Sequence, residues 1–258
     1  MTSVRPLRCG LVGTGHWARI THGPALASTD GIEFTSVWGR DPAAAAALAS
    51  AHGARAFADL DEFIASVDAV VFSVPPDVQA PIATRAAAAG RHLLLEKPVA
   101  LTEADADALV AAVDGAGVAS VVFFTYQFQP QIRAWLDGLA GRCEGGSVTW
   151  LGGAMRADSP FNSPWRREKG GLWDLGPHAV ALMWAGLGSV TGVTAAGGPA
   201  DISHLILRHA GGATSTVTVT LSAPAAAETA EFTLWGEAGR AMAPAGRDPV
   251  AALRVALG

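Results

Sequence analysis

Two cysteines are all that this 258-residue chain contains, Cys9 and Cys143, far apart and without metal-ligand spacing. Cys9 falls in a strand-like run, where packing is its expected role. The seven histidines are scattered, with no pair four apart on a helix beside matching acids, so a metal centre has no sequence footprint. No basic tract is present and the formal net charge is -5, which argues against nucleic-acid binding and names no other partner. No uninterrupted apolar run is long enough to cross a bilayer. The opening residues, Met1-Thr2-Ser3-Val4-Arg5-Pro6, carry no apolar signal segment. The expectation is a cytoplasmic protein without a membrane or nucleic-acid partner. No internal repeat stands out.

What is present is core material: half of the residues are hydrophobic, at a length that suits two modest domains. The first half alternates strand-like and helix-like segments. Strands are expected at residues 7–12, 34–38, 54–57, 69–74, 92–95 and 118–125. Helices are expected at 16–28, 42–52, 60–65, 78–89 and 102–113, the last capped by Thr102. Strands alternating with helices imply right-handed crossovers and a parallel sheet covered on both faces.

The second half changes character. A helix at 131–139 precedes a strand at 147–156, a polar loop at 158–171 and a helix at 175–184. Four further strands follow at 191–196, 202–209, 214–221 and 229–235, with Gly211-Gly212 as a hairpin joint. The alternation of Thr214 to Thr220 gives that strand one wet face. The fold class expected is α/β: an N-terminal dinucleotide-binding domain over 1–125 and an α+β domain with an open, mostly antiparallel sheet over 126–258. The tail beyond Gly239 is expected to build little.

Gly13-Thr14-Gly15-His16-Trp17-Ala18 follows the first strand and opens the first helix. In G-x-G-x-x-A the first glycine makes the tight turn, the second admits a pyrophosphate, and the alanine allows close helix–strand packing. Gly13, Thr14, Gly15, His16 and Trp17 are therefore candidate cofactor contacts; a simple strand-to-helix turn is the bland reading. The acid expected about twenty residues on, to hold a ribose hydroxyl, is missing. Arg40 stands there instead, suited to a 2′-phosphate, so NADP(H) is preferred over NAD(H); otherwise Arg40 is a solvated loop residue and Asp41 a helix cap. Ser73 and Pro75 close the fourth strand, either as cofactor contacts or as a rigid turn.

Glu96-Lys97-Pro98 ends the fifth strand. Strand ends line the ligand crevice of such sheets, so Glu96 and Lys97 are candidates at the cofactor, with Lys97 able to carry or relay a proton. A surface lysine paired with Glu96 is the alternative. Asp174 and His178 are four apart, on one face if a single helix holds both. They form a proton-handling set, or else a helix cap and a satisfied core histidine. Trp165 and Arg166 precede them and either contact nicotinamide or pack at the surface.

These motifs occur in the order seen in one family. Through Gly13 to Arg19, Glu96-Lys97-Pro98, Trp165-Arg166 and Gly170-Gly171 to Asp174 and His178, the chain resembles the glucose–fructose oxidoreductase / inositol dehydrogenase (Gfo/Idh/MocA) family over about residues 5–240. The resemblance implies a Rossmann domain, an open sheet domain, and hydride transfer between NAD(P) and a carbinol carbon of sugars, inositols or related polyols. It implies that Lys97 orients or deprotonates a substrate hydroxyl, that Asp174 bonds the substrate or the lysine, that His178 is the general acid/base, and that Pro98 follows a cis bond. A homo-oligomer through the C-terminal sheet is a further implication. The chain departs from the pattern at Ala181, where an aspartate is common, and at Tyr126-Gln127-Phe128-Gln129-Pro130, which lacks an arginine. The second domain is also short. Those departures keep open a non-catalytic NADP(H)-binding sensor or regulatory protein, and a different reduction, of an imine or linear tetrapyrrole, on the same fold.

Overall fold

The computed structural model describes residues 5–258, in two compact units: residues 5–123 with Asp248–Gly258, and Phe124–Arg247. The first unit holds six strands, β1 (Leu7–Val12), β2 (Ile32–Trp38), β3 (Arg55–Phe57), β4 (Ala69–Phe72), β5 (His92–Glu96) and β6 (Ser120–Phe123). All pair in parallel, in the order β3-β2-β1-β4-β5-β6. The order reverses between β1 and β4, and an open α/β sheet binds ligands outside the strand ends at such a reversal.

The intervening helices are α1 (Gly23–Ser28), α2 (Pro42–Ala51), α3 (Leu60–Ser66), α4 (Pro76–Ala88) and α5 (Glu103–Ala116). A π turn over Ala18–His22 leads into α1. Side chains of Asp41, Asp59 and Thr102 cap α2, α3 and α5 by accepting from free first-turn N–H groups. β4 is buried at every position, as a strand covered on both faces must be. Phe57, Phe63, Phe72, Ile82, Leu93, Leu95 and Leu109 form the core between sheet and helices. Each such side chain contributes about 1.5–3 kcal/mol on burial.

The second unit carries β7 (Gly145–Leu151), β8 (Val190–Gly197), β9 (Ser203–His209), β10 (Thr214–Thr220), β11 (Thr229–Gly236) and β12 (Gly239–Met242), ordered β12-β11-β7-β10-β9-β8. The sheet is antiparallel except for the central β7–β10 pair, which is parallel. Helices α6 (Pro130–Leu139), α7 (Pro164–Asp174) and α8 (Gly176–Leu187) complete the unit. α8 sends Ala179, Leu182, Met183 and Leu187 into a core with Val148, Leu207, Val217, Val219 and Leu234 from the sheet. Buried and exposed residues alternate along β9 and the first half of β10.

Three expectations need correction. Residues 158–171 are not all loop: α7 starts at Pro164, because proline suits a first helical turn. β12 pairs with β11 beyond Gly236. Residues 248–258 do not belong with the second domain: Asp248 caps a helix, α9 (Pro249–Leu257), that packs on α1, the π turn and β6 of the first unit. No helix among the described residues is long and apolar enough to cross a membrane.

Asp68, in the turn before β4, ties two adjacent strands together at their starts. Its carboxylate accepts from Arg8 N at 3.0 Å, Arg8 Nε at 3.1 Å, Arg8 Nη2 at 2.7 Å and Arg5 Nη2 at 3.0 Å. The Arg8 side-chain bonds chiefly hold the Asp68 carboxyl far below the ordinary carboxylate range, against the pull of burial. A depressed folded-state pKa contributes stability above the unfolded value of about 4 and loses it as pH falls further. Asp68→Asn should therefore cost about 1–2 kcal/mol at pH 7. The gap between variant and parent in thermal unfolding should narrow steadily below about pH 4.

Candidate active site

In the first unit the register of the parallel strands brings several predicted residues to one sheet edge. Val12 is level with Trp38 and Phe72, and Val71 with Leu94, so the segments after β1, β2, β4 and β5 leave the sheet on the same side. Those segments carry Gly13 to Trp17, Arg40, Ser73 with Pro75, and Lys97. Gly13 adopts φ +123°, and a Cβ there would lie 2.3 Å from the Ser73 carbonyl oxygen, so only glycine makes this turn. A Cβ on Gly15 would meet nothing within 4 Å. The backbone at Gly15 thus faces open space next to a helix start, the cradle that a pyrophosphate needs. The buried Ser73 Oγ has no hydrogen-bond partner among the described residues. The glycine turn therefore fits a dinucleotide. Arg40 is exposed just past β2, while Asp41 is committed to capping α2, accepting from Ala43 N at 2.9 Å and Ala44 N at 3.1 Å.

The Lys97–Pro98 peptide is cis, as the sequence resemblance implied. Its surroundings are set by a residue that sequence reading missed. Gln79, fully buried on α4, accepts from Glu96 N at 2.8 Å and donates to Glu96 O at 2.7 Å and Val99 O at 3.2 Å. A glutamine surrounded by Ala80, Ile82 and Ala83 on a buried helix face was the available signal, since a buried carboxamide must find partners. Trp17 Nε1 donates to Glu96 Oε1 at 2.7 Å, and buried His22 places Nε2 3.3 Å from the same oxygen. The Glu96 carboxylate is thus engaged by the first helical segment.

In the second unit Asp174 and His178 are not held by a single helix. α7 ends at Asp174, Leu175 intervenes, and α8 begins at Gly176 with Pro177 in its first turn. Asp174 accepts from Arg166 Nε at 2.8 Å and Nη2 at 3.3 Å, a two-pronged ion pair whose carboxylate side chain is 8% exposed. The Arg166 guanidinium also lies 4.7 Å from the Trp165 ring centroid. Arg166 is thereby engaged with Asp174 and Trp165. His178 is buried among Phe124, Tyr126 and Trp150, with ring centroids 6.2, 5.9 and 5.7 Å away. Burial pushes the Tyr126 phenol up, with Arg247 working in the opposite direction.

Asp201, in the β8–β9 connection, locks the glycine pair that precedes Asp174. It accepts from Gly171 N and Leu221 N at 2.7 Å and from Thr220 Oγ1 and Ser222 Oγ at 2.6 Å. Burial works to raise its pKa, but the bonds from Ser222, Thr220, Leu221 and Gly171 outweigh it and hold the carboxyl below its ordinary range. Gly170 sits at φ +70°, kinking α7, and a Cβ on Gly171 would lie 2.8 Å from Thr220 Cα. Nothing in a lone loop aspartate announces this role in the sequence.

A parallel sheet with a glycine turn at its reversal point, together with a second unit built on a mixed sheet, defines a dinucleotide-binding oxidoreductase architecture. The chain belongs to the Gfo/Idh/MocA oxidoreductase family: residues 7–124 match its NAD-binding Rossmann fold and residues 131–242 match the GFO/IDH/MocA C-terminal domain. D-apiose dehydrogenase of Paraburkholderia graminis is 29% identical over 84% of this chain and 61% of its own length. Inositol 2-dehydrogenase of Rhizobium meliloti is 31% identical over 55% of this chain and 44% of its own. The chain thus spans less than two thirds of these relatives. The crystal structure of GenD2 from gentamicin A biosynthesis, in complex with NAD, superposes with a TM-score of 0.80 at 27% identity, covering 94% of this chain and 73% of that one.

Asp201→Ala would strand two buried N–H groups and should cost roughly 2–4 kcal/mol. Hydrogen exchange should speed up at residues 170–174 well before it does in the first unit; uniform protection across both units would show that Asp201 does not hold the kink.

Proposed function

We propose that the protein is an NAD(P)-dependent oxidoreductase that moves hydride between the nicotinamide and a carbinol or ketone carbon of a sugar-like or cyclic polyol. The observation that carries this reading is Lys97, just past the end of β5, on the same sheet edge as a glycine turn with an open cradle. The dehydrogenase relatives support it.

A dinucleotide, when bound, supplies the hydride donor or acceptor. Gly13, Thr14, Gly15 and His16 form the turn that would hold its diphosphate, with Ser73 and Pro75 on the adjoining strand end, while Trp17 stands behind the turn with its indole N–H given to Glu96. Arg40 would meet a 2′-phosphate, so NADP(H) is the preferred form and NAD(H) the second. Lys97 takes the proton from the substrate hydroxyl as hydride leaves, or returns it in reduction. His178 is the second proton-handling group. Asp174, fixed by Arg166, keeps a formal negative charge in place and accepts hydrogen bonds from substrate hydroxyls. The partner is a small molecule. Assembly into a homo-oligomer through the second unit's sheet is part of the proposal, as is a cytoplasmic location.

A binding-only role as an NADP(H) sensor gives the opposite result in one experiment. Lys97→Met should reduce turnover on a panel of polyols and their ketones by about 10²–10⁴-fold. Its cofactor Kd should stay within about threefold of the parent, since the lost group acts on the proton and not on the diphosphate. Near-normal turnover in the variant would overturn Lys97 as the base; tight cofactor binding with no turnover of any panel member by the parent would favour the sensor.

A further inference from the structure

We infer that Trp17 and Glu96 are positioning residues that couple the phosphate turn to Lys97, and not ligands of the cofactor. The inference rests on the dinucleotide reading above and deepens it. Three observations meet at one carboxylate. Glu96 Oε1 takes the Trp17 indole N–H at 2.7 Å and lies 3.3 Å from His22 Nε2. The Glu96 side chain is only 12% exposed and His22 is fully buried, so this oxygen is turned into the protein. Rings of Trp17 and Phe123 stand edge-on to His22 and wall the contact in.

The π turn explains how Trp17 and His22 reach the same atom. In an α-helix at about 100° per residue, residues five apart point about 140° away from each other. In the turn over Ala18–His22 the chain closes five residues back, with Gly23 N donating to Ala18 O. That wider turn brings positions 17 and 22 to one side. The residue that opens the turn follows Gly15 by two positions, so the peptide groups of the phosphate cradle and the indole that grips Glu96 belong to one short rigid stretch. On the other side, Gln79 fixes the main chain at Glu96 and Val99. The stretch carrying Lys97 is thus pinned through its backbone by α4 and through its neighbouring side chain by the cradle. A phosphate that settles the cradle settles Trp17, then Glu96, then the position of Lys97.

The composition gives a clean test, because Lys97 and Lys169 are the only two lysines in the sequence. In a Lys169→Arg background, reductive methylation with carbon-13 formaldehyde leaves Lys97 as the one labelled lysine, read by its methyl resonance. ADP-ribose, which has the diphosphate but no nicotinamide, is the probe. The resonance should move on adding ADP-ribose to the parent. In Trp17→Phe and in Glu96→Ala, ADP-ribose should bind within about threefold of the parent by calorimetry, as expected of residues that do not touch it. The resonance shift in both should fall by half or more. Glu96→Gln keeps an oxygen for the indole N–H and should restore most of the shift. Full shifts in both disruptive variants would overturn the coupling, and so would a large loss of ADP-ribose affinity, which would make these residues ligands. Should ADP-ribose not bind the parent, the dinucleotide reading falls. The ligand-free proteins then decide the positioning role: a displaced or broadened Lys97 resonance in Trp17→Phe upholds it, and an unchanged one refutes it.

Discussion

A single buried carboxamide, that of Gln79, fixes the strand end on which the proposed chemistry stands. It bonds the main chain on both sides of the cis Lys97–Pro98 step, so a segment leaving the sheet keeps one shape. A buried backbone group left without a partner costs about 1–3 kcal/mol, which makes alternative shapes of residues 96–99 expensive. Around that fixed point the first unit arranges its other elements: the glycine turn after β1, the exposed arginine after β2, and Ser73 with its carbonyl pressed against Gly13. The parallel register then needs no loop of unusual length to gather them.

The second unit solves a similar problem with a charge. Asp201 collects four donors from two segments and sits against Gly170 and Gly171, where no side chain would fit. The kink it stabilises lies between Arg166 and Asp174, which pair with each other across it. Asp174 is therefore held as one half of a two-pronged ion pair. In the proposed reaction that fixed position is what Asp174 would offer to a substrate.

Much of the first unit was legible because its signals are local. Apolar runs without alternation gave the buried strands, and Gly13-Thr14-Gly15 followed by a helix gave the turn. Glu96-Lys97-Pro98 and the glycine pair before Asp174 were visible as motifs, but their meaning lay in distant partners. Gln79 is 17 residues from Glu96 and Asp201 is 30 from Gly171, and no local pattern announces either bond. α7 was hidden by its own proline and glycines, which mark a loop in sequence and a first turn and a kink in the structure. α9 was missed because a short tail looks unable to bury anything alone; its apolar face is covered by the first unit. The parallel β7–β10 pair was unreadable because sequence-distant strands in a mixed sheet carry the same alternation whichever way they run.

The proposed chemistry stands or falls with the glycine turn after β1 as a dinucleotide site that has Arg40 at its ribose end. The most direct test is calorimetric titration of the purified protein with NADPH and, separately, with NADH. Saturable binding of both is expected at one site per chain, with NADPH the tighter. Tighter binding of NADH would keep the site and discard the role given to Arg40. Binding of neither would remove the dinucleotide site, and with it the proposed hydride transfer.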